Sequence, residues 1–192
     1  MNKLMVLCLL AHSLIAMDVP ARCHNSRIFT ELGIIETDEL TNAVQSDIGI
    51  YVPDNDFIVE YPGTTKYADA VIKKTTAPVM IKKINDLLGY GVFAQESIAA
   101  DAVVGEYTGT ILEFSQVYGR SLDDTKYVME LGPFGADKVS DIRYDLYIDA
   151  KNRGNFTRFI NHSYRPNLTE KLVFANGLWH IMLIAKASID AG

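Results

Sequence analysis

The sequence predicts a mainly β fold built from several small sheets with short helices. From residue 79 onward, runs of β-branched and aromatic residues alternate with Gly, Pro, Asn and Asp, which is typical of short strands separated by turns. No long amphipathic pattern interrupts this part of the chain. The 192 residues, 48% of them hydrophobic, suffice for the core of one domain with extensions.

The predicted strands follow one another at short intervals along the chain. The clearest pair is a hairpin, because Asn176-Gly177 supplies the two positive-φ positions of a type I′ turn between residues 172–175 and 178–183. Phe156, Phe159 and Ile160 share a helical face, which predicts a short helical turn. The remaining predicted strands span 48–52, 57–61, 79–84, 91–94, 102–107, 127–131 and 145–150.

The first residues have the layout of a secretory signal peptide. Lys3 precedes a short apolar run over residues 4–17, which is too short to span a bilayer comfortably. Residues 1–22 are therefore predicted to be a signal peptide, cleaved after Ala16 or Ala21, and the protein to be secreted or exported. A first buried strand or helix of the mature protein is the alternative interpretation of this run.

Charge and cysteine content narrow the classes of partner. The formal net charge of −6 disfavours nucleic acid as a direct partner and favours a basic one, such as a lysine-rich peptide. A negative charge of this size also simply keeps a domain soluble. Cys8 and Cys23 both lie near the N-terminus, and the single thiol left after cleavage forms neither an internal disulfide nor a zinc site.

Three motifs resemble the core of the SET-domain lysine methyltransferases. Gly-Tyr-Gly at 89–91 is similar to the family's Gly-x-Gly turn, Gly-Glu-Tyr-Thr-Gly at 105–109 to its Glu-Tyr-x-Gly strand, and Arg-Phe-Ile-Asn-His-Ser at 158–163 to its Asn-His-Ser segment. The three occur in the family's order. Each has an ordinary structural interpretation by itself, since Gly-Tyr-Gly is common in turns and a lone histidine is most often structural.

The resemblance implies a SET fold over residues 80–192, preceded by a flanking region over 23–79, and binding of S-adenosylmethionine. Tyr107 and Tyr127 match tyrosines that line the family's lysine channel and are the candidate catalytic residues. In the family, the position of Tyr164 is a zinc-ligating cysteine, so no metal site is expected here. The matching cofactor-binding positions are Gly89, Tyr90, Gly91, Arg158, Asn161 and His162.

The activity that the resemblance implies is methylation of a lysine in a histone tail or another basic protein. Transfer of a sulfonium methyl group to an amine needs a pocket that aligns the two molecules, and no metal. We expect a monomer without a stable membrane span. The family continues beyond the position of Gly192 into a knot-forming segment that carries a catalytic tyrosine, and this segment is expected to be missing. The alternative is therefore an inactive or vestigial SET module that binds proteins.

The expected location follows from an export signal combined with a cofactor made inside cells. Both requirements are met by a bacterial effector secreted into a host cell, and a cytoplasmic protein is the alternative. Asn155, Asn161 and Asn167 each begin a glycosylation sequon. A glycan on Asn161 would occupy the expected cofactor pocket, so passage through a eukaryotic endoplasmic reticulum would harm the site.

Overall fold

Short strands in small sheets dominate the structure, a computed structural model that describes residues 5–6, 21–43, 48–50, 63–137 and 143–192. The described strands form five sheets of two to five strands each. The helices are short, and the longest among the described residues is α1 (Ala21–Glu31), with 11 residues. The predicted mainly β fold is confirmed.

The largest sheet has five strands, in the spatial order β3 (Thr41–Asn42), β8 (Thr110–Glu113), β10 (Arg143–Asp149), β9 (Val128–Asp137) and β4 (Ile48–Ile50). Its middle strands β8, β10 and β9 pair antiparallel, and β3 adds to β8 in parallel. Leu146 and Ile148, alternate residues of β10, are fully buried, as expected for a strand with one face on the core.

A three-stranded antiparallel sheet forms the second layer, in the order β13 (Leu168–Ala175), β14 (Leu178–Ala185) and β7 (Val103–Tyr107). Asn176 and Gly177 join β13 to β14 with φ angles of 51° and 76°, as the type I′ prediction requires. The central strand β14 is buried on both faces because its residues alternate between two apolar clusters. The sheet therefore separates a main core from a smaller second one.

Two antiparallel strands, β5 (Val79–Asn85) and β6 (Gly89–Ala94), form the hairpin that ends in the Gly-Tyr-Gly motif. A 3₁₀ turn (Phe156–Phe159) occupies the predicted helical turn and leads into β12 (Asn161–His162). Between β8 and β9 lie the short helices α4 (Phe114–Val117) and α5 (Leu122–Thr125). The motifs thus lie at strand ends and turns.

The flanking region packs closely on this core. Helix α1 buries Ile28 and Phe29 in the main core and ends at Glu31. Gly33, two residues later, has a φ of +66°, the usual conformation after a helix. The sequence analysis missed α1 because Ile28 and Phe29 are its only large apolar residues beyond Cys23 and give no helical periodicity. After it, β2 (Ile35–Glu36) pairs in parallel with β11 (Arg153–Gly154).

The second apolar cluster joins two further helices to the three-stranded sheet. Helices α2 (Gly63–Lys66) and α3 (Ala68–Ile72) lie on the face of the sheet opposite the main core. Tyr67, between the helices, is buried with its hydroxyl bonded to Asp101 at 2.6 Å. The members of this cluster are Tyr67, Val71, Val173, Ala175, Met182 and Ile184.

Part of the N-terminal region also has a place in the fold. Strand β1 (Met5–Val6) pairs antiparallel with β12, with Met5 opposite His162 and Val6 opposite Asn161. The rest of the predicted signal peptide before residue 21 lies outside the described residues, as do Cys8 and the predicted strand over 57–61. In the described part of the chain, no helix is long and apolar enough to cross a membrane.

Candidate cofactor and lysine site

The Gly-Tyr-Gly turn brings β6 close to the Asn-His segment. Gly89 has a φ of +68°, which a glycine adopts without steric cost. A Cβ on Gly91 would lie 2.6 Å from Ile84 Cδ1 and 3.4 Å from the Asn161 side-chain nitrogen. The two glycines therefore serve different purposes: Gly89 closes the turn, and Gly91 leaves room for neighbours.

Asn161 makes the direct link between the two motifs. Its amide nitrogen Nδ2 donates a hydrogen bond of 2.9 Å to the backbone oxygen of Tyr90. Residues 71 positions apart in sequence are thus joined at one point, beside the backbone of β6. The neighbouring His162 is exposed, and its ring contacts that of Tyr164 edge-on, with 5.3 Å between the centroids.

Phe159 connects this point to the interior. Its ring lies edge-on to the ring of Tyr90, with centroids 5.9 Å apart, and to that of Phe29 in α1, at 5.3 Å. Aromatic pairs prefer this edge-to-face geometry. Phe29 therefore supports the wall that carries the two motifs, a role that no pattern in the sequence indicated.

Arg158 holds a neighbouring loop through its buried guanidinium. Its Nε donates to the backbone oxygen of Ala150 at 2.7 Å, and its Nη2 to that of Lys151 at 3.1 Å. The guanidinium carbon lies 4.1 Å from the ring centre of Tyr127 and 4.8 Å from that of Phe159. Burial lowers the pKa of Arg158 from its ordinary value. The guanidinium of Arg158 therefore contacts backbone oxygens and the rings of Tyr127 and Phe159 within the protein.

The two candidate catalytic tyrosines are directly bonded. Tyr107 is 3% exposed, and its hydroxyl donates a 2.6 Å hydrogen bond to the backbone oxygen of Tyr127. Burial raises the pKa of Tyr107 well above its ordinary value, although Arg158 acts in the opposite direction. Tyr107 is therefore a neutral hydrogen-bond donor at physiological pH. Tyr127 is half-buried, and its ring faces Arg158.

A continuous chain of contacts thus joins most of the residues that the sequence singled out. It runs from Tyr107 through Tyr127, Arg158 and Phe159 to Tyr90 and Asn161, and we call these six residues the motif cluster. Gly89 and Gly91 shape the strand beside it, whereas His162 lies at its exposed end. The tertiary structure brings the eight predicted positions to one region.

Other polar residues that support this region were not singled out as site residues. Asn155 is 4% exposed, and its Oδ1 accepts from the backbone nitrogen of Thr157 at 3.1 Å, so it caps the 3₁₀ turn. The sequence could have indicated this role for Asn155, since an asparagine before a short helical run is a common cap. Among the described residues, no group of three or more His, Cys, Asp or Glu side chains could hold a metal ion.

Comparison with known proteins identifies the family. The SET domain family model matches residues 89–192, more than half of the chain. The chain therefore belongs to the SET domain family, which confirms the resemblance seen in the motifs.

Two curated relatives are histone-lysine N-methyltransferases. MEDEA of Arabidopsis thaliana is 30% identical over 119 residues, which cover 62% of this chain and 16% of that protein. The enzyme set-2 of Caenorhabditis elegans is 35% identical over 106 residues, which cover 54% of this chain and 7% of that protein. The chain thus spans a small fraction of the length of these relatives.

Solved structures agree on the fold. The ATXR5 SET domain in complex with histone H3 dimethylated on R26 superposes with a TM-score of 0.60 at 22% identity, covering 90% of this chain and 83% of that one. A ctPRC2 structure bound to S-adenosylmethionine in an autoinhibited conformation has a TM-score of 0.53 at 27% identity, covering 64% of this chain and 15% of that one. The SET fold predicted from the sequence is thereby confirmed.

Proposed function

We propose that this chain is the SET domain of an S-adenosylmethionine-dependent protein-lysine methyltransferase. The observation that carries the proposal is the hydrogen bond from Asn161 to the backbone of Tyr90, because it joins the two segments that resemble the family's cofactor motifs. The family membership and the names of the relatives support the same reaction class.

The cofactor would lie against β6 and β12. Gly89 has open space where a side chain would lie, so that a ligand can approach the start of β6, and Gly91 lets Asn161 come close to the same strand. Tyr90, Asn161 and His162 offer backbone groups, an amide and an imidazole to the polar ends of the cofactor. When bound, S-adenosylmethionine supplies an activated methyl group. Arg158 contributes indirectly, since its donors hold the backbone at residues 150 and 151.

The lysine would approach the motif cluster at its tyrosine end. Tyr127 presents a half-buried ring that stacks on Arg158, and the hydrogen bond from Tyr107 holds the backbone from which that ring projects. A fixed aromatic wall orients the apolar stem of a lysine, and orientation is the main requirement of an in-line displacement. In this arrangement, Tyr107 acts on the substrate through Tyr127.

A histone tail or another basic protein is the proposed substrate, and a monomer the proposed form. The net charge of −6 attracts a cationic chain. Histone H3 is bound by the ATXR5 SET domain, the neighbour that covers 90% of this chain. Mass spectrometry of histone H3 and of a lysine-free peptide control, incubated with the protein and cofactor, checks the substrate class.

Export into a host cell is the finer part of the proposal. Its support is the layout of residues 1–22, together with the state of two sequons in the fold. The Asn155 amide donates to the Glu106 oxygen at 3.0 Å while nearly fully buried, and the Asn161 amide donates to Tyr90. Mass measurement of the native protein tests it, since export predicts loss of about the first 16 to 21 residues and no glycan.

The decisive experiment is calorimetric titration of the protein with S-adenosylmethionine. We expect Asn161→Ala to weaken binding by about 1–3 kcal/mol, because it removes both a ligand contact and the link to Tyr90. Asn152→Ala is the matched control, since Asn152 is exposed and outside the motif cluster. A folded wild type that does not bind the cofactor would favour the protein-binding alternative, and equal affinity in both variants would remove Asn161 from the site.

A further inference from the structure

A buried polar pair lies on the face of β7 opposite Tyr107. The Nδ1 of His180 is 2.7 Å from the Oε1 of Glu106, and its Nε2 is 3.0 Å from the backbone oxygen of Ala175. Glu106 pairs with Met182 in the ladder between β7 and β14, so His180 is its diagonal neighbour on the same face. The side chains of the pair are only 8% and 11% exposed.

The chemistry of the acceptors fixes the orientation of the histidine ring. The oxygen of Ala175 can only accept, so Nε2 carries a hydrogen. The short contact to Glu106 then holds one further proton between the carboxylate and Nδ1, whichever atom bears it. Both arrangements bond both ring nitrogens. Loss of either contact would leave a buried polar group unpaired, which costs more than a typical hydrogen bond contributes.

The backbone of Glu106 connects the buried pair to the motif cluster. Its oxygen accepts from Asn155 Nδ2 at 3.0 Å and from Thr157 Oγ1 at 3.2 Å. These two residues form the cap of the 3₁₀ turn, which contains Arg158 and Phe159 and continues into Asn161. A displacement of Glu106 would therefore move the start of the segment that bears half of the motif cluster.

The position of β7 explains why the contact between His180 and Glu106 matters for the position of the strand. β7 lies at the edge of its three-stranded sheet and pairs with β14 alone among the described strands. Its ladder with β14 shifts register between Leu183 and Ile184, so the regular pairing is limited to residues 105–107 on β7. Lys74 interacts electrostatically with Glu106, but its ammonium is bonded to Glu39. His180 is thus the group that is bonded directly to the Glu106 carboxylate.

We propose that His180 is a positioning residue for the methyltransferase site. By holding Glu106, it fixes the backbone oxygen that anchors Asn155 and Thr157, and through them the 3₁₀ turn and the Asn161–His162 strand. The consequence for cofactor affinity rests on the proposed function, whereas the consequence for the geometry of the turn does not.

Three substitutions separate the two ends of the imidazole. His180→Asn keeps an amide near the position of Nδ1, towards Glu106, and His180→Gln keeps one near the position of Nε2, towards Ala175. His180→Phe removes both contacts while preserving a ring. Val173→Ala is the control for general destabilisation, because Val173 is fully buried opposite His180 on β13.

Two readouts are measured well below the unfolding temperature of each variant. Hydrogen exchange of the amides at 156–162 reports the order of the turn, and titration with S-adenosylmethionine reports affinity. We expect His180→Phe and His180→Gln to accelerate exchange and to raise the Kd about five-fold. His180→Asn retains the wild-type behaviour in both readouts. Val173→Ala lowers the melting temperature and leaves both readouts unchanged.

The comparison of His180→Asn with His180→Gln tests whether His180 acts through Glu106, even if His180→Phe does not fold. The proposal is overturned if His180→Gln retains slow exchange while His180→Asn loses it, or if both exchange like the wild type. If the wild type fails to bind the cofactor but the exchange rates follow the expected order, the proposed function fails and the positioning role stands.

Discussion

The two faces of the β13–β14–β7 sheet are held in different ways. On the face towards the motif cluster, Trp179, Ile181 and Leu183 enter the main core. Arg158, the charged member of the motif cluster, is also buried. On the other face, the second apolar cluster packs beneath α2 and α3. There the ammonium of Lys66 bonds Asp101 at 2.6 Å, with both side chains more than half exposed.

The two faces of the sheet are stabilised by different interactions because only one of them carries the candidate site. Close packing and buried bonds to backbone oxygens keep the motif side in one geometry, as a site for aligned reactants requires. The helix side depends on apolar contacts, on the buried Glu106–His180 pair and on an exposed ion pair that solvent and salt screen. We therefore expect substitutions on the motif side to cost more stability, and the helix side to respond more to solution conditions.

The strongest test of the comparison is Trp179→Ala. Trp179 is 1% exposed in the main core, so its truncation leaves a large cavity. We expect a loss of about 3–5 kcal/mol in the free energy of unfolding, measured by denaturant titration. Leu122→Ala is the control, because Leu122 is 90% exposed. Similar losses in the two variants would contradict the assignment of the core.

Arg158→Lys tests the buried polar bonds of the motif side. Lysine has a single charged nitrogen, so it cannot reach the oxygens of Ala150 and Lys151 with the fork of a guanidinium, nor stack on Tyr127. We expect a loss of about 1–3 kcal/mol in stability. Arg165→Lys, at an exposed position, serves as the control. Wild-type stability of Arg158→Lys would show that these bonds are dispensable.

The smallest effect is expected on the helix side, from Asp101→Asn. The hydrogen bonds from Lys66, and then from Tyr67, lower the pKa of Asp101 in the folded protein. Its contribution to stability is therefore present above the pKa of the unfolded chain, near pH 4, and is lost as the pH falls through the folded pKa. The melting temperature of the wild type should exceed that of Asp101→Asn at neutral pH.

The pH dependence of that difference provides the check. It should begin to shrink near pH 4, where Asp101 of the unfolded chain takes up a proton, and should vanish below the lowered pKa of Asp101 in the folded protein. High salt at neutral pH should shrink it as well, because the pair with Lys66 is exposed. A difference that persists unchanged in acid would contradict the charged interaction with Lys66 as its source.

Much of the fold could be predicted because its signals are local. The Asn176-Gly177 turn fixed the register of its hairpin through two backbone conformations, which a dipeptide determines. The strands from residue 79 onward followed from side-chain alternation and turn residues. Helix α1 could not be predicted, because what stabilises it is the burial of Phe29 against Phe159, 130 residues away in sequence.

The candidate site divides in the same way. Motif order indicated which segments meet, and Asn161 does meet Tyr90. The sequence did not predict the partners of individual side chains. Arg158, for example, bonds to backbone oxygens whose position depends on the course of another loop. The pairing of Glu106 with His180 depends on the register between β7 and β14. Register is a property of the sheet, and a single strand does not encode it.

The sequence by itself determined the mainly β class, the hairpin at Asn176-Gly177, the short helical turn and the membership of the SET domain family, because turn chemistry, alternation and motif order are local properties. The tertiary structure decided which groups touch. It placed Tyr107 on one face of β7 and Glu106 on the other, the first bonded to Tyr127 and the second to His180. Alternation assigns neighbouring residues to opposite faces, but only the packing of the sheets decides what each face meets.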